Sequence, residues 1–196
     1  MSVEEVRRRL NFAKALGFRT LLYFADGTNS DTGAPSFRQE YVFRDKEGKT
    51  MEGWKGPDSV GEAVRMDPAV PELRDWFKGY LRALLEEYAD VIDGVVWDET
   101  FYIPLNTISY TQDTPAYLDR AMLSLVSELT QMVQSYRAEN PDIVFLASDN
   151  GRNSNALVAH GTFQDSAMRI DDWGPSMFMN YRNSLWSCLW NPVSRS

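Results

Sequence analysis

The stretch that decides the fold is Val91-Ile92-Asp93-Gly94-Val95-Val96-Trp97-Asp98-Glu99. Its apolar residues form a nearly continuous run instead of alternating with polar ones. That pattern is typical of a strand buried on both faces, as in a parallel sheet. The apolar run stops at the carboxylate of Asp98, at the end of the strand where folds of alternating strands and helices keep their chemistry. Asp98 is therefore the first candidate for a catalytic acid.

Three other segments have the composition of short buried strands, and helical patterns separate them. The predicted strands are Thr20–Ala25, Ile143–Ala147 and a short one within Gly161–Asp165. A first helix begins at Ser2, which has capping-box spacing with Glu5, and stops before Gly17. Further helices follow Asp67-Pro68 and Thr114-Pro115, with apolar residues every three or four positions. A long polar loop runs from about 28 to 67, with a small strand predicted at Glu40–Phe43.

Alternating strands and helices predict a parallel sheet with helices packed on it. A complete (β/α)8 barrel takes about 250 residues, whereas this chain has 196 and about four strands. We therefore expect a single domain over residues 1–196 that forms a partial (β/α) barrel, equivalent to half or a central slice of a TIM barrel. Such a sheet has open edges, so we expect either a homo-oligomer that covers them or a longer parent chain.

Every predicted strand ends at or near an aspartate: Asp26, Asp98, Asp149 and Asp165. Each could serve only to cap the next helix or to shape a turn. The carboxyl ends of parallel strands share one edge of the sheet, however, so the four carboxylates are also expected to converge there. The sequence leaves both interpretations open for the individual residues.

The overall composition favours neutral ligands. The net charge is −8 and 13% of residues are aromatic, including six tryptophans. An acidic chain lacks the basic footprint of a nucleic-acid-binding protein and is repelled by anionic membrane surfaces. No apolar run is long enough to span a membrane. The surplus of aromatic residues suits either a packed core or a surface that stacks on sugars.

Cysteine and histidine are too scarce for several kinds of site. The only cysteine, Cys188, excludes an internal disulfide, and the only histidine, His160, disfavours a histidine metal site or a Ser-His-Asp triad. We interpret His160 as a residue at a helix carboxyl end, favoured there by the helix dipole. No cofactor or metal is predicted. With no signal peptide in view, a cytoplasmic location is expected if the chain is complete.

Three segments resemble the retaining glycoside hydrolases of the α-galactosidase and α-glucosidase type, the clan D barrels. They are YVFRDKEGK (41–49), MDPAVPELRDW (66–76) and YADVIDGVVWDE (88–99). The second matches the family's "dP-x-x-P-e" helix start, and the third matches its "DG-x-x-x-D" strand. The resemblance covers about a third of the chain well and the rest by strand order alone.

The resemblance assigns roles to two acids. In these enzymes the aspartate at the tip of the fourth barrel strand is the nucleophile, which implies that role for Asp98. If Thr20–Ala25 is the third strand, then Phe163–Asp165 is the sixth, whose tip carries the acid/base. This implies that Asp165 is the acid/base. Carboxyl groups about 5–5.5 Å apart would retain the anomeric configuration and groups about 6.5–9.5 Å apart would invert it, and the sequence does not decide between them.

The other predicted site residues would hold the carbohydrate. Asp26, Asp149 and Asn150 are expected to bind sugar hydroxyls, and Trp54 and Trp173 to stack on a sugar face, although both rings also suit packing under a loop. Trp97 and Glu99 flank the nucleophile and complete the substrate-binding set. Arg152 either orients a carboxylate or forms a surface pair of little value.

Two functions follow from these residues. The first is a glycoside hydrolase domain that cleaves a glycosidic bond with two carboxylates. The second is a catalytically silent partial barrel that binds carbohydrate or a partner subunit.

Overall fold

The structure is a computed structural model, and it describes residues 2–26, 28–44, 48–53, 55, 59–98, 100, 115–148 and 155–163. These residues contain three helices: α1 (Val3–Ala15), α2 (Pro71–Tyr88) and α3 (Pro115–Ser135). The strands in the same described ranges are β1 (Leu21–Asp26), β2 (Asn29–Asp31), β3 (Ala63–Arg65), β4 (Gly94–Asp98), β5 (Val144–Ser148) and β6 (Gly161–Phe163). Short 3-10 turns lie at Gln39–Tyr41, Tyr136–Ala138 and Asn155–Leu157.

The main sheet has four parallel strands in the order β1-β4-β5-β6. Neighbours in the sheet are also neighbours in chain order once the small β2–β3 pair is set aside. Helix α2 connects β1 to β4, and α3 connects β4 to β5. This is the wall of a partial (β/α) barrel, so the predicted fold class and its four parallel strands are confirmed.

The core lies between one face of this sheet and helices α2 and α3. On the sheet side it contains Phe24, Trp97 and Phe145, whose rings contact one another or Phe77 of α2 at centroid distances of 5.0–6.2 Å. Each helix contributes a fully buried stripe. The stripes are Leu73, Phe77, Leu81 and Leu85 of α2, and Met122, Leu125, Val126, Leu129 and Val133 of α3. The core therefore covers one face of the sheet, and the helices α2 and α3 do not pack on the opposite face.

The pair Asp93-Gly94 holds the start of β4 against both neighbouring strands. The Asp93 carboxylate accepts hydrogen bonds from the Thr20 backbone N–H at 2.7 Å and from Arg19 Nη1 at 2.9 Å. Gly94 lies so close to β5 that a Cβ atom would stand 2.6 Å from the Val144 carbonyl oxygen. Because these two residues fix where β4 begins, they also fix how far along the strand Asp98 lies.

The predicted loop over residues 28–67 contains structure that the sequence did not reveal. Strands β2 and β3 pair antiparallel, with Asn29 opposite Arg65 and Asp31 opposite Ala63. The small strand predicted at Glu40–Phe43 is wrong: Gln39–Tyr41 is a 3-10 turn, and Val42 forms only an isolated bridge to Met66. These β2–β3 pairings join residues more than thirty positions apart, a distance over which local periodicity carries no signal.

Helix α1 begins and ends as predicted but buries no residue. Ser2 Oγ accepts from the Glu5 N–H at 3.3 Å, and Gly17 ends the segment with φ of +85°. Arg7 pairs with Asp90 just beyond α2. Large apolar side chains at the carboxyl end of α1 and on β1 remain exposed: Phe12, Leu16, Phe18, Leu21 and Tyr23. No helix in the described parts of the chain is long and apolar enough to cross a membrane.

The interpretation of His160 as a residue at a helix carboxyl end is wrong, because the preceding 3-10 turn ends at Leu157. His160 is buried at the start of β6, where Nδ1 accepts a hydrogen bond from the Phe145 N–H at 3.0 Å and its own N–H donates to the Phe145 carbonyl. Burial, and secondarily the charge of Arg137, lowers the pKa of His160 to about 4. The ring is therefore neutral near pH 7, and its hydrogen bond to the Phe145 N–H adds a side-chain link between β5 and the start of β6.

Candidate functional site

Asp98 is the last residue of β4, a central strand of the main sheet. Its neighbour Trp97 points into the helix layer, where it contacts Phe77 of α2. Side chains alternate between the two faces of a strand, so Asp98 lies with Val96 on the face opposite the helices. In a barrel this is the face that lines the interior. Asp98 is half-buried there, at the carboxyl end of its strand.

The tip of β1 lies directly beside Asp98. In the parallel pairing of β1 and β4, Asp26 is in register with Asp98, after a shift of register between Tyr23 and Ala25. Neighbouring strands lie about 4.8 Å apart, so the backbones of the two aspartates are adjacent at the same edge of the sheet. Of the predicted site residues, this is the one pair that the described structure brings together.

A buried polar cluster, made of Thr100, Ser148 and Asn155, joins the carboxyl ends of β4 and β5. The Thr100 N–H donates to Ser148 Oγ at 2.9 Å, and Thr100 Oγ1 donates to the Ser148 carbonyl at 2.7 Å. Asn155 Nδ2 donates to the same carbonyl at 2.7 Å and to Thr100 Oγ1 at 3.1 Å. All three side chains are buried. The cluster ties the chain two residues beyond Asp98 to the neighbouring strand.

Our sequence reasoning missed this cluster. Ser148 follows a buried strand and Thr100 follows Asp98-Glu99, so both occupy strand ends, but neither belongs to a motif. Asn155 lies seven positions beyond Ser148 along the chain. The available signal was the position of small polar residues at strand ends, which also suits ordinary turns.

Trp97 does not belong to a substrate-binding surface. Its side chain is 0% exposed and packs among Phe24, Phe77 and Phe145. The strand alternation that directs Asp98 toward the barrel interior directs Trp97 into the helix layer. The assignment of Trp97 to sugar binding is therefore corrected to a packing role.

The remaining predicted site residues lie outside the described residues: Trp54, Glu99, Asp149, Asn150, Arg152, Asp165 and Trp173. For Asp26 only the backbone is described. The roles of these residues, and the separation of Asp98 from Asp165, remain predictions. Within the described parts of the chain, no three carboxylate, histidine or cysteine side chains cluster in a way that could hold a metal ion.

Comparison with known proteins gives a fold and no family. No protein-family model matches the chain, and no curated protein is similar to it. Solved structures do match. The cycloisomaltooligosaccharide glucanotransferase of a Paenibacillus species has a TM-score of 0.57 and 14% identity, over 94% of this chain and 27% of that one.

Two other solved structures are similar to the chain in fold at comparably low identity. A maltogenic α-amylase from Thermotoga neapolitana matches with a TM-score of 0.54 and 13% identity, over 95% of this chain and 39% of that one. The type III pullulan hydrolase from Thermococcus kodakarensis matches with a TM-score of 0.53 and 15% identity, over 95% of this chain and 33% of that one. The chain thus spans well under half the length of these proteins. At such low identity the likeness shows a shared fold, that of barrel glycoside hydrolases.

Proposed function

We propose that this chain is a glycoside hydrolase domain in which Asp98 is the nucleophile of a retaining mechanism and Asp165 the acid/base. The observation that carries the proposal is the position of Asp98. It ends a central parallel strand, on the barrel-interior face, in register with a second aspartate. A retaining mechanism requires one carboxylate that attacks the anomeric carbon and one acid that donates a proton to the leaving oxygen.

The chemistry divides between the two acids. Asp98 attacks the anomeric carbon and forms a covalent glycosyl-enzyme intermediate, while Asp165 donates a proton to the departing oxygen. Asp165 then takes a proton from water as that water attacks the intermediate. Asp26, beside Asp98, would hold a sugar hydroxyl through its carboxylate. The likeness in fold to enzymes named for pullulan, isomaltooligosaccharides and maltose supports a neutral glycan as substrate.

The Thr100–Ser148–Asn155 cluster would position the nucleophile in this scheme. Its hydrogen bonds tie the chain just beyond Asp98 to the tip of β5. A buried, satisfied network of this kind rigidifies the backbone around it. Precise placement of a reacting group is worth several orders of magnitude in rate, so the cluster is expected to influence turnover without touching substrate.

Hydrolysis of a panel of nitrophenyl α- and β-glycosides tests the proposal, with the wild-type protein compared with Asp98→Asn. The substitution removes the nucleophile while keeping its shape, so kcat should fall by about a thousandfold or more. The matched control is Asp75→Asn, an exposed acid on α2 that pairs with Lys78, which should leave turnover unchanged. Equal turnover by Asp98→Asn and the wild type would refute the assignment.

The second function, a silent barrel that binds carbohydrate or a partner subunit, has one observation in its favour. Among the described strands β1 pairs only with β4, and large apolar side chains on β1 and near the carboxyl end of α1, including Phe12 and Phe18, are exposed. Exposed apolar area of this kind marks surfaces that become covered. Failure of the folded wild type to hydrolyse any substrate of the panel, together with a dimer in sedimentation analysis, would favour this function.

A further inference from the structure

A cleft of about 400 Å³ lies between α2 and the β2–β3 pair. Its floor is formed by Phe24 of β1 and Phe77 of α2, and Trp76 and Tyr80 form one wall. Asn29 and Ser30 of β2, with Ser36 beyond it, also line the cleft. A volume of this size lies within the range of about 300–1,000 Å³ that is usual for small-molecule sites.

The aromatic wall is a stack of rings that is partly exposed at Trp76 and Tyr80. The rings of Trp76 and Tyr80 stack at 5.5 Å with 20° between their planes, and Tyr80 in turn stacks on Phe24 at 5.3 Å and 22°. Trp76 is 38% exposed and Tyr80 45% exposed, although the other large apolar side chains of α2 are mostly covered. Tyr80 also fits the helical spacing of the apolar residues of α2, but the buried position there belongs to Leu81.

The chemistry of the lining selects a neutral ligand with both apolar and hydroxyl surface. No charged side chain is among the described residues that line the cleft, in a chain of net charge −8. The negative face of an aromatic ring attracts weakly positive C–H groups, and serine hydroxyls and an asparagine amide exchange hydrogen bonds with hydroxyl groups. A pyranose ring presents both kinds of surface, with axial C–H groups on its face and hydroxyls around its rim.

The floor of the cleft lies on the helix side of the sheet. Phe24 and Phe77 contact Trp97 on that side of β4, whereas Asp98 lies on the opposite face. The floor of the cleft and the candidate nucleophile therefore lie on opposite faces of the sheet, and the Asn29 and Ser30 part of the lining follows the tip of β1 in the chain. The described lining also lacks the carboxylate pair that glycoside hydrolysis requires, so the cleft is suited to binding and not to turnover.

We propose that this cleft is a second carbohydrate-binding site, which holds a neutral sugar unit against Trp76 and Tyr80. A glycan anchored there would be held close to the domain while another part of it reaches the strand ends, which raises its effective concentration at that edge. The site requires no activity from Asp98.

Fluorine NMR of protein labelled with fluorotryptophan tests the site. The chain has six tryptophans, and the resonance of Trp76 is identified by its loss in Trp76→Phe. Maltoheptaose, isomaltoheptaose and stachyose serve as neutral probes, and a galacturonic acid oligomer as the charged one. At least one neutral probe should shift the Trp76 resonance in a saturable way, in the wild type and equally in Asp98→Asn, and the charged probe should not.

Variants then test the wall itself. In isothermal titration calorimetry, which needs no tryptophan signal, Trp76→Ala and Tyr80→Ala should each raise the Kd for the neutral probe by about tenfold. Phe12→Ala is the matched control, because it removes an exposed aromatic ring from α1 (64% exposed) and should change nothing. Circular dichroism establishes that each variant is folded, and the NMR shift in the wild type does not depend on any variant.

Three results would overturn the proposal: an unmoved Trp76 resonance up to the solubility limit of every neutral probe, undiminished binding by Trp76→Ala, or occupation of the cleft by a second copy of the chain. The last would appear as a concentration-dependent shift of the Trp76 resonance without sugar. Loss of turnover in Asp98→Asn bears only on the catalytic proposal, so failure of one proposal is distinguishable from failure of the other.

Discussion

Acidification from about pH 7 to about pH 5 should destabilise the protein through His160. In the folded protein its pKa is lowered from 6.5 to about 4, so between these values the unfolded chain binds a proton at His160 and the folded protein does not. Two features of the folded structure lower the pKa. The ring is buried, and Nδ1, which would take the proton, already faces the Phe145 N–H at 3.0 Å.

The magnitude follows from linkage. At about 1.4 kcal/mol per pH unit, a pKa lowered from 6.5 to about 4 corresponds to about 3 kcal/mol in the free energy of unfolding. The sign is that of a depressed pKa: the contribution is fully present above the unfolded pKa and is lost as the pH falls from about 6.5 toward about 4. Between about pH 7 and pH 5 the expected loss is about 2 kcal/mol.

Urea unfolding followed by circular dichroism at several pH values in this window measures the loss. The variant His160→Asn is the informative comparison, because its Oδ1 can accept from the Phe145 N–H in place of Nδ1 but does not titrate. The wild-type stability should fall with pH while that of His160→Asn stays nearly level, whatever its absolute value. Carboxylates with lowered pKa values, such as Asp93 and Asp31, lose their contributions only at lower pH. Parallel pH curves for the two proteins would refute the reasoning.

Two further substitutions test the geometry around β4 and β5. Gly94→Ala would place a Cβ atom 2.6 Å from the Val144 carbonyl oxygen, so urea unfolding should show a loss of about 1–3 kcal/mol; Gly79→Ala, where nothing lies within 4 Å, should instead be neutral or stabilising. Ser148→Ala removes the acceptor of the buried Thr100 N–H and should cost about 1–3 kcal/mol. If Asp98 is the nucleophile, Ser148→Ala should also lower kcat while changing KM little. An unchanged kcat would contradict the proposal that the Thr100–Ser148–Asn155 cluster positions Asp98.

The sequence was sufficient to predict the parallel sheet and the location of its carboxyl edge. Continuous apolar runs of five or six residues, separated by segments with helical periodicity, are local signals. They can be recognised without knowing which strands pair in the sheet. The five-residue strand that begins at Gly94 places Asp98 at its tip. The reason is physical: strand length and capping chemistry depend on neighbours in the chain, and those are visible in the sequence.

Residue-level roles were less accessible, because they depend on which face of a strand or helix a side chain occupies. Trp97 and Asp98 are adjacent in sequence, yet one is in the core and the other faces the barrel interior. Tyr80 and Leu81 both fit the apolar spacing of α2, yet only Leu81 is buried, because an apolar stripe several residues wide can rotate by one position without changing its period.

The alternation of strands and helices, and the position of Asp26 and Asp98 at strand tips, could be predicted from the amino-acid sequence. Only the tertiary structure decided that Asp26 stands in register with Asp98, that Thr100, Ser148 and Asn155 form one buried cluster, and that His160 is neutral. The same holds for the cleft beside Trp76. Each of these depends on contacts between segments far apart in the chain, whose pairing is set by the packing of the whole sheet against its helices and not by any local pattern.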